Sequence, residues 1–110
     1  MPKIDVAPFE EFGPGSVKLV TLGWTTVGVY NCGGELLAIE DRCSHDDGPL
    51  CEGEWDCEAC EVVCPRHGSR FDLRTGTALS LPAYLPVSTY PVRVREDGMI
   101  VIDVGSPSAP

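Results

Sequence analysis

No window of a dozen residues in this chain spaces its apolar positions at the 3.6-residue period of a helix. β-Branched residues gather instead between Ser16 and Ala38, where Val17, Val20, Thr21, Thr25, Thr26, Val27 and Val29 favour extended backbone. This stretch predicts strands over about 17–22 and 25–30, a hairpin turn at Asn31-Cys32-Gly33-Gly34, and a return strand Leu36–Glu40. Upstream, residues 3–12 mix apolar and acidic positions and end in the breaker Phe12-Gly13-Pro14-Gly15. Downstream, Arg70–Leu73 reads as a short strand turning at Thr75-Gly76. A closing hairpin then pairs Ser88–Arg95 with Met99–Val104 around Asp97-Gly98. The elements are all-β, with no internal repeat. The Gly, Ser, Pro and Ala tail of residues 105–110 is predicted to be disordered.

Between residues 41 and 69 the pattern changes. Apolar residues thin out, and nine acids from Glu40 to Glu61 face the single base Arg42. Five of the six cysteines and both histidines also lie here, in what reads as an irregular insertion on a β scaffold, where chemistry commonly resides. The 110 residues make one domain, taken as 1–104.

Composition narrows the partners. Seventeen acids against eight bases leave a formal net charge of -9, a field that repels phosphate backbones and anionic lipid. Nucleic acid and membrane are therefore not expected as partners. The longest apolar stretch, Val17 to Tyr30, is interrupted by Lys18, three Thr and two Gly and is too polar to span a bilayer. Met1-Pro2-Lys3-Ile4-Asp5 begins no secretory signal, so a cytoplasmic location is expected. In that setting the cysteines read as metal ligands or thiols rather than as a disulfide framework.

The informative spacing is Cys43-Ser44-His45, followed after 18 residues by Cys64-Pro65-Arg66-His67. Two thiolates and two imidazoles suit zinc or an iron–sulfur centre. Gly48-Pro49, Pro65 and Gly68 allow tight loops whose backbone N–H groups turn toward anionic sulfur. A rival set is Cys57-x-x-Cys60-x3-Cys64-x-x-His67, three thiolates and an imidazole for a non-redox zinc module, which strands Cys43 and His45. Otherwise Cys57 and Cys60 are open to a local disulfide, an adventitious metal or a thiol role, and Cys32 and Cys51 read as structural or free thiols. The acidic run Glu52, Glu54, Asp56, Glu58 and Glu61 is either a solvated loop or a docking face for a basic partner. Trp24 and Trp55 read as packing residues.

C-x-H followed by C-x-x-H resembles the two-loop signature of the Rieske-type ferredoxins, and the resemblance spans roughly residues 4–104. Cys64 through Asp72 to Thr75-Gly76 is similar to that family's second loop and following hairpin. Pro82-Ala83 and Pro86 through Val92 resemble its proline loop and returning strand, and Leu37-Ala38-Ile39 its strand into the first loop. The resemblance implies an antiparallel β-sandwich with a smaller cluster-binding subdomain inserted at about 41–83. It also implies one [2Fe–2S] cluster, with Cys43 and Cys64 on one iron and His45 and His67 on the other. Gly48, Gly68, Ser69 and Pro82 would surround it.

Two neutral imidazoles leave such a site less negative than four thiolates do, which eases reduction. Gly48 and Arg66 stand where the high-potential respiratory branch carries a disulfide brace, and Phe71 where it has a tyrosine. These departures imply a potential of about -150 mV rather than about +300 mV. The chain's two histidines are both committed to the cluster, leaving none for a mononuclear oxygen-activating iron, and no dinucleotide fingerprint is present. The implied role is a one-electron carrier, not an enzyme by itself. It would pass electrons from an NAD(P)H-dependent ferredoxin reductase to a terminal ring-hydroxylating oxygenase. Alternatives are a Rieske protein serving iron–sulfur assembly or nitrite reduction with another redox acceptor, and the zinc module.

Overall fold

The computed structural model describes residues 3–23, 25–44 and 48–105. Trp24, His45 and residues 106–110 carried expectations of packing, iron ligation and disorder, and they lie outside the described residues. Among the described residues ten strands follow in order: β1 (Lys3–Pro8), β2 (Val17–Leu22), β3 (Thr25–Cys32), β4 (Glu35–Glu40), β5 (Trp55–Asp56), β6 (Glu61–Val63), β7 (Arg70–Asp72), β8 (Thr89–Tyr90), β9 (Val92–Val94) and β10 (Met99–Asp103). They form three antiparallel sheets, β1-β10-β9, β2-β3-β4-β8 and β5-β6-β7. The all-β expectation holds. Among the described residues no helix is long and apolar enough to cross a membrane.

Side-chain alternation on the central strands explains how the layers stack. On β3, Val27 and Val29 enter one core with Val6, Phe12, Val20, Ile100 and Ile102, joining the first two sheets. Tyr30 and Cys32 point the other way, into a second core with Leu50, Val62, Phe71 and Leu73 from the insertion. β4 divides likewise, Ala38 to the first core and Ile39 to the second. The sheet is thus covered on both faces, and β3 is buried without interruption from Val27 to Cys32.

Residues 3–8, whose mixed pattern named no element, form a strand, because pairing with β10 and burial of Val6 outweigh the polar positions at Lys3 and Asp5. Two local readings are corrected. The stretch 41–69 is not wholly irregular, since β5 and β6 pair within it as Trp55↔Val62 and Asp56↔Glu61. The predicted strand over Ser88–Arg95 breaks at Pro91, which has no N–H for a ladder, and its halves join different sheets.

Candidate metal centre

The first loop leaves β4 and is closed by its own side chains and backbone. Asp41 Oδ1 accepts the backbone N–H groups of Leu50 at 2.9 Å and Cys51 at 2.6 Å, pinning both ends of the loop together. Within it the Cys43 N–H donates to the Gly48 carbonyl at 2.8 Å. Cys43 is fully buried at the base of the turn.

The second loop joins β6 to β7. The Cys64 N–H donates to the Ser69 carbonyl at 2.8 Å, and the Gly68 N–H donates back to Cys64 at 3.0 Å. Gly68 turns the chain at φ 75°, in the left-handed region that glycine enters without steric cost. Cys64 is buried, while His67 is exposed at the tip.

A third segment covers the pair. Ser69 is wholly buried, and its Oγ accepts the Ala83 N–H at 3.1 Å, which leaves its own proton to donate elsewhere. The Leu81–Pro82 peptide is cis. Ser44 Oγ donates to the Leu85 carbonyl, so the proline segment is held by both loops. Around this end Leu81, Tyr84 and Leu85 are 79%, 75% and 53% exposed.

Of the predicted ligands, Cys43 and Cys64 lie in the same packed core and neither is disulfide-bonded. His67 lies on the loop that Cys64 begins, and His45 is outside the described residues. Among the described residues no group of three His, Cys, Asp or Glu side chains is gathered around one point. The donor chemistry nevertheless suits a [2Fe–2S] group. Two buried sulfurs stand at the bases of two tight loops, one imidazole lies on the outer side, and a buried hydroxyl with a proton to give adjoins the second loop.

The cysteines outside this set depart from expectation. Cys32 and Cys60 form a disulfide with Cα atoms 5.9 Å apart, linking the end of β3 to the start of β6 across 28 residues. The reading of Cys32 as a structural or free thiol is therefore corrected, and Cys60 is bonded to Cys32 rather than locally to Cys57. The rival zinc set fails with it, because Cys60 is no longer available as a thiolate. Cys parity alone could not reveal this bond; it follows from β3 running two residues further than predicted and turning Cys32 toward the insertion. Cys51 lies beneath the first loop, where burial pushes its thiol up to about 12, with the nearby Asp41 carboxylate adding to the effect. Burial likewise drives the neighbouring Tyr30 phenol well above its ordinary value, and its hydroxyl has no hydrogen-bond partner of ordinary geometry. The Tyr30 ring meets Trp55 edge-on at 4.9 Å, so Trp55 is a packing residue as expected.

An antiparallel sandwich carrying two Cys- and His-bearing loops beneath a proline segment defines an iron–sulfur electron-transfer protein. The chain belongs to the Rieske [2Fe-2S] domain family, which matches residues 3–91. It is 50% identical over 78 residues to the 3-phenylpropionate/cinnamic acid dioxygenase ferredoxin subunit of Shigella flexneri serotype 5b (strain 8401), covering 71% of this chain and 72% of that one. Its structure superposes on the ferredoxin of carbazole 1,9a-dioxygenase from Nocardioides aromaticivorans IC177 with a TM-score of 0.83 at 33% identity, over 93% and 97% of the two chains. A complex of reduced oxygenase and oxidized ferredoxin in carbazole 1,9a-dioxygenase matches with a TM-score of 0.82 at 31% identity, covering 91% of each chain. The family brings one [2Fe–2S] cluster per chain, and the chain is a ferredoxin-type electron carrier rather than a catalyst on its own.

Proposed function

We propose that this chain is the ferredoxin component of a ring-hydroxylating dioxygenase system in the cytoplasm. It takes one electron from an NAD(P)H-dependent reductase and delivers it to a terminal oxygenase. The observation that carries this reading is the pair of loops sharing one core, each with a buried cysteine that is not disulfide-bonded, in a chain that superposes on dioxygenase ferredoxins.

In this reading Cys43 and Cys64 hold one iron and His45 and His67 the other, within a single domain of residues 1–104 whose cluster-binding part spans about 41–83. The cluster supplies reversible one-electron storage. Asp41 holds the first loop closed, and Ser69 fixes the proline segment over the second. Leu81, Tyr84 and Leu85 present apolar surface on the segment held by both loops, so a docked partner excludes water at this end of the molecule. The strong negative charge steers approach toward basic partner surfaces.

The test is the EPR spectrum of the dithionite-reduced protein, followed by a coupled assay with candidate reductases and oxygenases. Mixed Cys and His ligation lowers the mean g value below that of an all-cysteine cluster, and hydroxylation should then depend on adding this chain. Colourless, zinc-loaded and EPR-silent protein would overturn the reading.

A further inference from the structure

Beyond the cluster, the insertion is tied to the scaffold by a second piece of sulfur chemistry. The Cys32–Cys60 disulfide is buried on both sides. A third cysteine reaches the backbone next to one end of it. Cys57 is a free, half-buried thiol whose Sγ donates to the Asn31 carbonyl at 3.7 Å, against the residue that precedes Cys32. Cys57 also shares one tight turn with Cys60. Asp56 Oδ1 accepts the N–H groups of Glu58 at 2.8 Å and Ala59 at 3.1 Å, and the Cys60 N–H donates to the Asp56 carbonyl at 2.7 Å.

Cys60 itself sits at φ 60°, the one non-glycine residue at positive φ among those described. A side chain disfavours that conformation, so the turn and the disulfide together hold it there. Cys57-x-x-Cys60 is also the spacing at which two cysteines can close a disulfide within a single turn.

We propose that Cys57, Cys60 and Cys32 form a thiol–disulfide exchange site in which Cys57 is the attacking sulfur. The Cys57 thiolate attacks Cys60 Sγ, the Cys57–Cys60 bond forms as the Cys32–Cys60 bond breaks, and Cys32 leaves as a thiolate that takes up the proton Cys57 released. That step consumes no electrons. Full opening to three thiols takes two electrons and two protons from a pair of low-molecular-weight thiols, which become their own disulfide. The exchange detaches the end of β3 from the residue that starts the path through β6 to Cys64. The environment's thiol poise thereby determines whether the second loop is covalently anchored to the scaffold. The proposal does not depend on which redox partners the chain serves.

The experiment uses the holoprotein purified without reductant and exposed to graded mixtures of reduced and oxidised glutathione. Samples are acid-quenched, alkylated, and mapped by mass spectrometry of non-reducing digests. The wild type should show Cys57–Cys60 with alkylated Cys32 as an intermediate. Cys57→Ser and Cys57→Ala should lack it and open Cys32–Cys60 about tenfold more slowly. Alkylating Cys57 in the folded wild type before adding glutathione should give the same slowing without any substitution. Equal opening rates with and without a reactive Cys57, or opening of the wild type with no Cys57–Cys60 species, would overturn the proposal.

Discussion

Ser69 and Ala83, 14 residues apart, are joined by a buried hydrogen bond in which the serine hydroxyl oxygen accepts the alanine N–H at 3.1 Å. That bond fastens the proline segment to the loop that begins at Cys64. Ser69→Ala leaves the Ala83 N–H buried without its acceptor, a loss of about 1–3 kcal/mol. Urea unfolding of the cluster-loaded protein should show the midpoint falling accordingly. An unchanged midpoint would mean the bond contributes nothing net.

With His67 as the proposed iron ligand, His67→Cys exchanges a neutral donor for a thiolate and so makes the site more negative in both redox states. The cluster should remain, and its midpoint potential should fall by on the order of 100 mV. Spectroelectrochemical titration measures this directly. A raised or unchanged midpoint would contradict the assignment of His67 as a ligand.

Gly28 on β3 packs against Cys51 beneath the first loop. A Cβ at Gly28 would clash with the Cys51 sulfur and lie 2.7 Å from its Cβ. Gly28→Ala therefore overfills the second core and should cost about 1–3 kcal/mol. Adding Cys51→Ala removes the nearer of the two clashing atoms, so the double variant should be more stable than the sum of the single effects. Thermal melts of the four proteins close the cycle, and strict additivity would rule the contact out.

Alkaline pH should destabilise the fold through the same place. In the unfolded chain Cys51 titrates at its ordinary 9.0 and Tyr30 at 10.0, whereas burial raises both in the folded state, Cys51 to about 12. Their contribution is complete below pH 9. Above it the unfolded chain releases protons that the folded chain retains, so stability drops as pH climbs from 9 toward 12. Denaturation midpoints across that range should fall less steeply for Cys51→Ala than for the wild type. Parallel profiles would exclude the thiol as a source.

The sandwich strands were legible because β-branched residues and glycine turns announce them locally, as with Val27, Val29 and the Gly33-Gly34 turn. Residues 3–8 and 55–63 were not, since their strands exist only through pairing with distant partners such as β10 and β7. The motif spacing singled out Cys43, His45, Cys64 and His67, because loops that hold metal keep fixed intervals. The Cys32–Cys60 bond depends on two chain segments meeting across the second core, and nothing local to either cysteine records that meeting. The Asp41 bonds across the first loop escaped for the same reason: the sequence shows the aspartate but not which N–H groups will point at it.

The four-stranded sheet has one further consequence. The chain leaves it at Glu40 and returns at Thr89, and these ends are neighbours: Ile39 pairs with Thr89, and the Glu40 N–H donates to the Ser88 carbonyl at 2.9 Å. Everything between, both cysteine-bearing loops and the third sheet included, is in connectivity one long hairpin loop between adjacent strands. Lengthening such a loop adds only slowly to its closure entropy. Residues 41–88 are therefore a single insertion that the ladder of the sheet does not itself require, held to its face by the packing of Tyr30 and Ile39 and by the Cys32–Cys60 bond.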